Sequence, residues 1–176
     1  GLAEPERPGH EEVGKSLANG VATLDAFLGR AVLGYQTQNF FTLQFRKSYW
    51  TSHQAITRGA VPYPSFMGLQ LYNTRGTGDF LSTEVVSVPT RDLPAFKKRD
   101  PRENAAMVSV YATTSGDRVN VFVLSKKIDQ FIDENNDGKI DENDHGFTPT
   151  TVHLPFSSAE SVTLYKMSGD PRENNL

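Results

Sequence analysis

Cysteine is absent from this chain, so no disulfide framework and no thiolate metal site underlies the fold, and the redox compartment leaves no mark in the sequence. No apolar run approaches the roughly 20 residues needed to span a bilayer. No Lys/Arg tract is interleaved with aromatics, which removes the usual electrostatic footprint of a nucleic-acid partner. Neither a G-x-S-x-G elbow nor a Ser/His/Asp order is present, so nucleophilic serine chemistry has no footing here. Internal repetition is limited to an echo, Asp100-Pro101-Arg102-Glu103-Asn104 against Asp170-Pro171-Arg172-Glu173-Asn174. The chain opens on Gly1 with neither methionine nor a leader segment, and reads as one trimmed or cut from a longer precursor.

What is present suffices for a folded core. A chain of 176 residues with 37% hydrophobic and 22% charged content lies within the globular range, as one domain or two small pieces. The net charge of −3 is unevenly placed. Residues 129–144 hold seven acids and one lysine, leaving 14 acids against 17 bases elsewhere. The acidity therefore belongs to one stretch.

That stretch contains DENNDGKIDEND, Asp133 to Asp144. Oxygen-bearing side chains stand at its first, third, fifth, ninth and twelfth places: Asp133, Asn135, Asp137, Asp141 and Asp144. Gly138 is sixth, where the loop must turn sharply into a conformation that glycine tolerates best. Lys139 is seventh, a place that contributes only its backbone carbonyl, and Ile140 is eighth, where an apolar side chain can pin the loop. This is the EF-hand calcium-loop pattern, with Asp144 where glutamate is usual. Crowded carboxylates repel one another, and a hard divalent cation relieves that repulsion; the bland alternative is a solvated acidic turn. Asp144 is a methylene shorter than glutamate, which leaves affinity and the Ca²⁺/Mg²⁺ choice open. Before the loop, Val119–Ile128 reads as a strand, and after it Pro149 discourages helix. The loop is therefore expected to be a metal-pinned structural connection and not a sensor flanked by two helices. His10, His145 and His153 show no metal spacing, and a histidine is a poor ligand for a hard ion.

In chain order, Gly1–Glu12 reads as a charged loop. Leu17, Val21, Leu24, Leu28 and Val32 recur at helical spacing within Val13–Leu33, and Gly34 follows as a stop. Tyr35–Phe45 is expected as a buried strand. Arg46–Arg58 carries the one tryptophan, Trp50, beside Tyr49 and His53. Pro62-Tyr63-Pro64-Ser65 opens a second helix, Phe66–Asn73, closed by Gly76-Thr77-Gly78. Beyond Gly78 the period becomes two: Phe80–Val88, Ala106–Thr113, Val119–Ser125, Thr150–Pro155 and Ser161–Met167 are expected strands, with Ser115-Gly116-Asp117 as a hairpin turn. Pro89–Asn104 reads as a polar connector. Short antiparallel strands at this spacing suggest a β-sandwich.

The order of these pieces carries a resemblance. A helix over Ser16–Leu33, a strand, a tryptophan-bearing loop, a helix opened by Pro62-Tyr63-Pro64 with Leu69-Gln70-Leu71-Tyr72-Asn73, and a strand ending Val88-Pro89 resemble the tail of secreted glycoside hydrolases of the arabinofuranosidase and xylosidase type. The ending Leu164-Tyr165-Lys166-Met167-Ser168-Gly169-Asp170-Pro171 resembles their closing strands. The resemblance implies an α+β chain: residues 1–78 as the final helices and strand of a (β/α)₈ barrel, and residues 79–176 as an antiparallel β-sandwich carrying the calcium loop 133–144, an insertion not general to that family. It implies a retaining, two-glutamate mechanism whose carboxylates, roughly 5–5.5 Å apart, lie outside this chain on a second polypeptide or a removed part of the precursor. Glu4, Glu6, Glu11 and Glu12 would be solvated loop residues. Tyr49, Trp50 and His53 would follow the last barrel strand and line the carbohydrate site, the aromatic faces stacking on sugar rings; Trp50 as a seam residue of the core is the competing reading. A secreted, periplasmic or extracellular location follows from the same resemblance. Two other classes stand beside it: a calcium-stabilised carbohydrate-binding or adhesion module without chemistry of its own, and a dockerin-like scaffold module, which would need a second calcium loop.

Overall fold

The computed structural model describes residues 14–39, 52–53, 59–96, 98–126, 150–154, 156 and 159–169. Its first element, α1 (Leu17–Val32), begins at Ser16, whose hydroxyl accepts from the Asn19 amide at 3.3 Å and so satisfies one of the orphan donors of the first turn. It ends in a left-handed Gly34, φ +91°. The Gly34 amide donates to the Ala31 carbonyl and the Tyr35 amide to that of Arg30. This is the crossed pair of bonds that closes a helix on glycine. The apolar stripe foreseen in the sequence is only partly used: Leu24 and Leu28 are buried, while Val32 is exposed.

The second helix, α2 (Pro64–Leu71), starts on a proline, whose missing N–H and fixed φ suit a first turn. It lies against α1 at a very close approach. A Cβ built on Gly20 would stand 2.8 Å from the carbonyl carbon of Pro64, so only glycine lets the two backbones come together. The chain then widens into a π-turn, Tyr72–Gly76. Within it the Thr74 hydroxyl donates back to the Gln70 carbonyl at 2.8 Å.

Three strands follow as one antiparallel sheet in the order β1 (Asp79–Leu81), β4 (Val108–Ser115), β5 (Arg118–Ser125). The β4–β5 ladder runs without a break from Val108↔Ser125 to Ser115↔Arg118. It turns through Gly116-Asp117, where Gly116 takes φ +61°, as a two-residue hairpin loop requires. A separate two-stranded sheet pairs β2 (Thr90–Leu93) with β3 (Arg102–Ala106). Register places Ser109, Tyr111, Thr113, Asn120, Phe122 and Leu124 on one face of the main sheet. That face meets α1: Leu24, Leu28 and Leu124 form the buried cluster, with Val21, Tyr72, Phe80, Tyr111 and Phe122 packed around it.

The architecture is α+β, but the barrel end and the β-sandwich expected from the sequence are not what the described residues build. Among the described residues there are two helices and two antiparallel sheets, and no parallel strand–helix–strand unit. One face of the three-stranded sheet is covered by a helix and not by a second sheet. Residues 35–39, the described part of the expected strand Tyr35–Phe45, join no ladder; Gln38 instead turns its side-chain amide back to the Phe27 carbonyl at 2.7 Å. Thr150–Pro155 and Ser161–Met167 show no strand at their described positions, and Val152, Leu154, Val162 and Leu164 are exposed. Alternation marks a chain that can lie in a sheet, but a strand also needs a partner edge, and period alone does not supply one. Conversely, the polar connector Pro89–Asn104 contains β2 and the first three residues of β3. Their residues are almost all exposed, which erases the alternation, and the hairpin is held by the Asp92 carboxylate accepting from the Asn104 amide at 2.9 Å.

The helix contact yields the first prediction. Gly20→Ala gains about 1 kcal/mol of helix propensity but forces backbone against backbone, and the expected net loss is about 1–3 kcal/mol. Gly29→Ala, whose added Cβ meets only the Tyr111 hydroxyl at 3.3 Å, should be near neutral. Urea denaturation midpoints of the two variants distinguish them; equal midpoints would refute the close-packing role of Gly20.

Candidate functional site

Of the three residues expected to line a carbohydrate site, His53 lies within the described residues, and Tyr49 and Trp50 lie outside them. His53 is half-buried and already partnered. Its Nδ1 is 2.9 Å from Ser52 Oγ, its ring stands 4.2 Å from that of Phe66, and it bridges to Pro62. The Ser52 carbonyl accepts from the Tyr63 amide at 2.8 Å. These contacts seat the chain ahead of α2 and give His53 a local structural task. The metal-ligand set Asp133, Asn135, Asp137, Lys139, Asp141 and Asp144 lies outside the described residues. Among the described residues no three His, Asp or Glu side chains converge on a metal position. No described helix is long and apolar enough to cross a membrane.

The fold assembles two polar constellations that the linear sequence did not announce. The first joins α1 to the sheet. Tyr111, on β4, donates its hydroxyl to Asp25 Oδ1 at 2.8 Å, and Lys126, just past β5, brings Nζ to 3.6 Å from Asp25 Oδ2. Lys126 also donates to Ser109 Oγ at 2.8 Å. Burial, and then the hydrogen bond and negative charge of Asp25, push the Tyr111 hydroxyl up to about 12. A tyrosine so held stays neutral and serves as a donor, not as a base. The arrangement is a fastening: it fixes the rotation of α1 over β4 and the path of the chain leaving β5.

The second constellation is a groove of about 260 Å³ between the π-turn and the tip of the β4–β5 hairpin. Thr74, Arg75, Thr77, Ser115, Asp117, Arg118 and Asn120 line it, every one of them polar. Its floor is built. Thr113, fully buried, donates to the Gly76 carbonyl at 2.6 Å, and Asn120 Nδ2 donates to Thr113 Oγ1 at 3.2 Å. Gly76 lies directly on the Phe122 ring and Gly78 on the Thr114 carbonyl, contacts that leave no room for a Cβ. Arg75 stacks over Tyr165 at 5.6 Å from the ring centroid. Neither Arg75 nor Arg118 is in an ion pair with a described acid. Neither arginine stands out in the linear sequence, because one stands in a glycine-rich helix stop and the other at a hairpin tip, places where a solvated charge is the ordinary outcome. The nearest thing to a signal was the pair of breakers themselves, Gly76-Thr77-Gly78 and Ser115-Gly116-Asp117.

Comparison of the chain with protein-family models, with curated proteins and with solved structures finds no match.

The Tyr111 hydroxyl gives a pH prediction. Its ordinary value is 10.0 and its folded value about 12, so between those limits the unfolded chain has released a proton that the folded chain keeps. Stability must therefore fall as pH rises through that window, and the contribution is whole below pH 10. Tyr111→Phe should flatten the decline between pH 10 and 12, seen in urea midpoints measured across the range. A slope identical to that of the parent chain would show that Tyr111 is not so held.

Proposed function

We propose that this chain is a calcium-binding region of a secreted carbohydrate-active hydrolase, contributing a metal-stabilised framework and saccharide contacts while a second polypeptide carries the catalytic carboxylates. One observation carries the calcium part: oxygen donors at the first, third, fifth, ninth and twelfth places of Asp133–Asp144 with Gly138 sixth, an all-oxygen set of the kind Ca²⁺ takes. Asp133, Asn135, Asp137, Asp141 and Asp144 would supply side-chain oxygens and Lys139 its carbonyl. The described residues support a structural role for such a site, because the chain enters that region from an anchored point. Lys126, the last described residue before it, is tied to Asp25 and Ser109. A bound ion would stiffen a connection that already starts from a fixed end.

The carbohydrate part rests on the resemblance of segment order to secreted glycoside hydrolases, without the barrel end, which the described residues do not form. A second reading, a calcium-stabilised saccharide-binding module that works without a catalytic partner, is favoured by the polar groove, since recognition alone needs no carboxylate pair.

Calcium at a hundredfold excess over its dissociation constant should stabilise the fold by about 2.7 kcal/mol. EDTA should lower the melting temperature by several degrees, and Asp137→Ala should reproduce that loss and be indifferent to EDTA. A melting curve unmoved by the chelator overturns the calcium assignment. Native mass measurement of the material isolated from its source separates the other two readings: a larger co-purifying chain supports the hydrolase region, and a lone, saccharide-binding chain supports the module.

A further inference from the structure

The groove at the hairpin tip has a donor and acceptor pattern that narrows its ligand. Arg75 and Arg118 come from different elements, the π-turn and the start of β5, and open onto the same space. Each guanidinium offers a planar fork of N–H donors that matches a carboxylate. The Tyr165 ring lies against Arg75, so cation–π contact favours that cation's place over the ring. No described acid neutralises either arginine as an ion pair. The π-turn that presents Arg75 is itself an uncommon backbone form, met disproportionately at functional sites. Here it is pinned by Thr113 and by the glycine contact with Phe122.

Acceptors stand beside these donors. Asp117 contributes a carboxylate to the same lining. The Asn120 amide has committed its nitrogen to Thr113, which leaves its oxygen as the free end. An inorganic anion would use the arginines and be repelled by Asp117. A neutral sugar would use the acceptors and leave two cations idle. A nucleic-acid strand would want a run of basic residues with stacking aromatics, which the sequence lacks. A ligand with one carboxylate and several hydroxyls matches both halves.

We propose that this groove binds a uronic acid unit of an acidic saccharide, Arg75 and Arg118 holding its carboxylate while Asp117 and Asn120 accept from its hydroxyls. The assignment deepens the carbohydrate reading above and rests on it.

The full chain, in calcium, is titrated calorimetrically with trigalacturonate, with a triglucuronate, with cellotriose as the neutral control, and with sodium sulfate at matched ionic strength. At least one acidic trisaccharide should bind, cellotriose should not, and Arg75→Gln and Arg118→Gln should each weaken binding about tenfold or more, the size expected for a lost charge-assisted hydrogen bond. Asp117→Asn should weaken the saccharide and tighten sulfate, a reversal that mere loss of fold cannot give. Circular dichroism of each variant checks the fold, and Arg118→Lys, which keeps the charge and loses the fork, replaces Arg118→Gln if that variant unfolds. Failure of both acidic trisaccharides to bind overturns the proposal. Saccharide binding untouched by the arginine substitutions overturns the groove and keeps the carbohydrate reading. Sulfate held through both arginines with no saccharide bound counts against both.

Discussion

The seat of α1 on the three-stranded sheet is the constraint from which the other positions follow. Leu28, only 1% exposed, and Leu24 meet Leu124 of β5, and burying side chains of this size contributes about 1.5–3 kcal/mol each. Apolar contact alone does not fix the rotation of a helix about its axis. Asp25 supplies that fix by gripping Tyr111 and Lys126 on the same sheet face. With α1 set, α2 is drawn close to it at Gly20, which admits the Pro64 backbone at an approach that a Cβ would block. The π-turn is then carried onto Phe122, and the groove opens between it and the hairpin. Residues from two distant parts of the chain, 74–77 and 115–120, are thus brought into a single polar surface by one helix–sheet contact.

The strand β5 runs between the two regions for which a function is proposed. Arg118, at its start, faces the groove, and Lys126, one step past its end, leads toward the calcium-type segment. At about 3.3 Å per residue, the two stand roughly 25 Å apart along a strand paired through its whole length. Such a strand transmits order well and bends little.

Some of this was legible in the linear sequence because it depends on local rules. The start at Ser16, the stop at Gly34, the proline-opened second helix and the hairpin at Gly116 each follow from capping, φ or hydrogen-bond inventory within a few residues. Leu24 and Leu28 were legible as a buried stripe from their spacing. The calcium pattern is equally local, a matter of which side chains stand at which places of a twelve-residue loop. What misled was order. A helix, a strand-like stretch, a helix and then alternating segments resembled a barrel tail and a sandwich, yet residues 35–39 fold back by a glutamine amide onto α1, and residues 150–154 and 161–167 carry alternation without a ladder. In the other direction, β2 and β3 pair while presenting almost no buried side chain, so no apolar rhythm could reveal them.

By itself, the sequence determined some local punctuation and the chemistry available to it: the glycine stop of the first helix, the proline that opens the second, where the hairpin turns, and which twelve-residue stretch carries oxygen donors at calcium spacing. Those depend on backbone geometry and on side chains within about one turn or one loop of each other, so no distant contact is needed to specify them. The tertiary structure decided which surfaces meet. It put a helix on the sheet, brought Asp25 to Tyr111 and Lys126, and turned two unremarked arginines toward one groove, because such pairings join residues far apart in the chain and are selected by packing and polar satisfaction across the whole core.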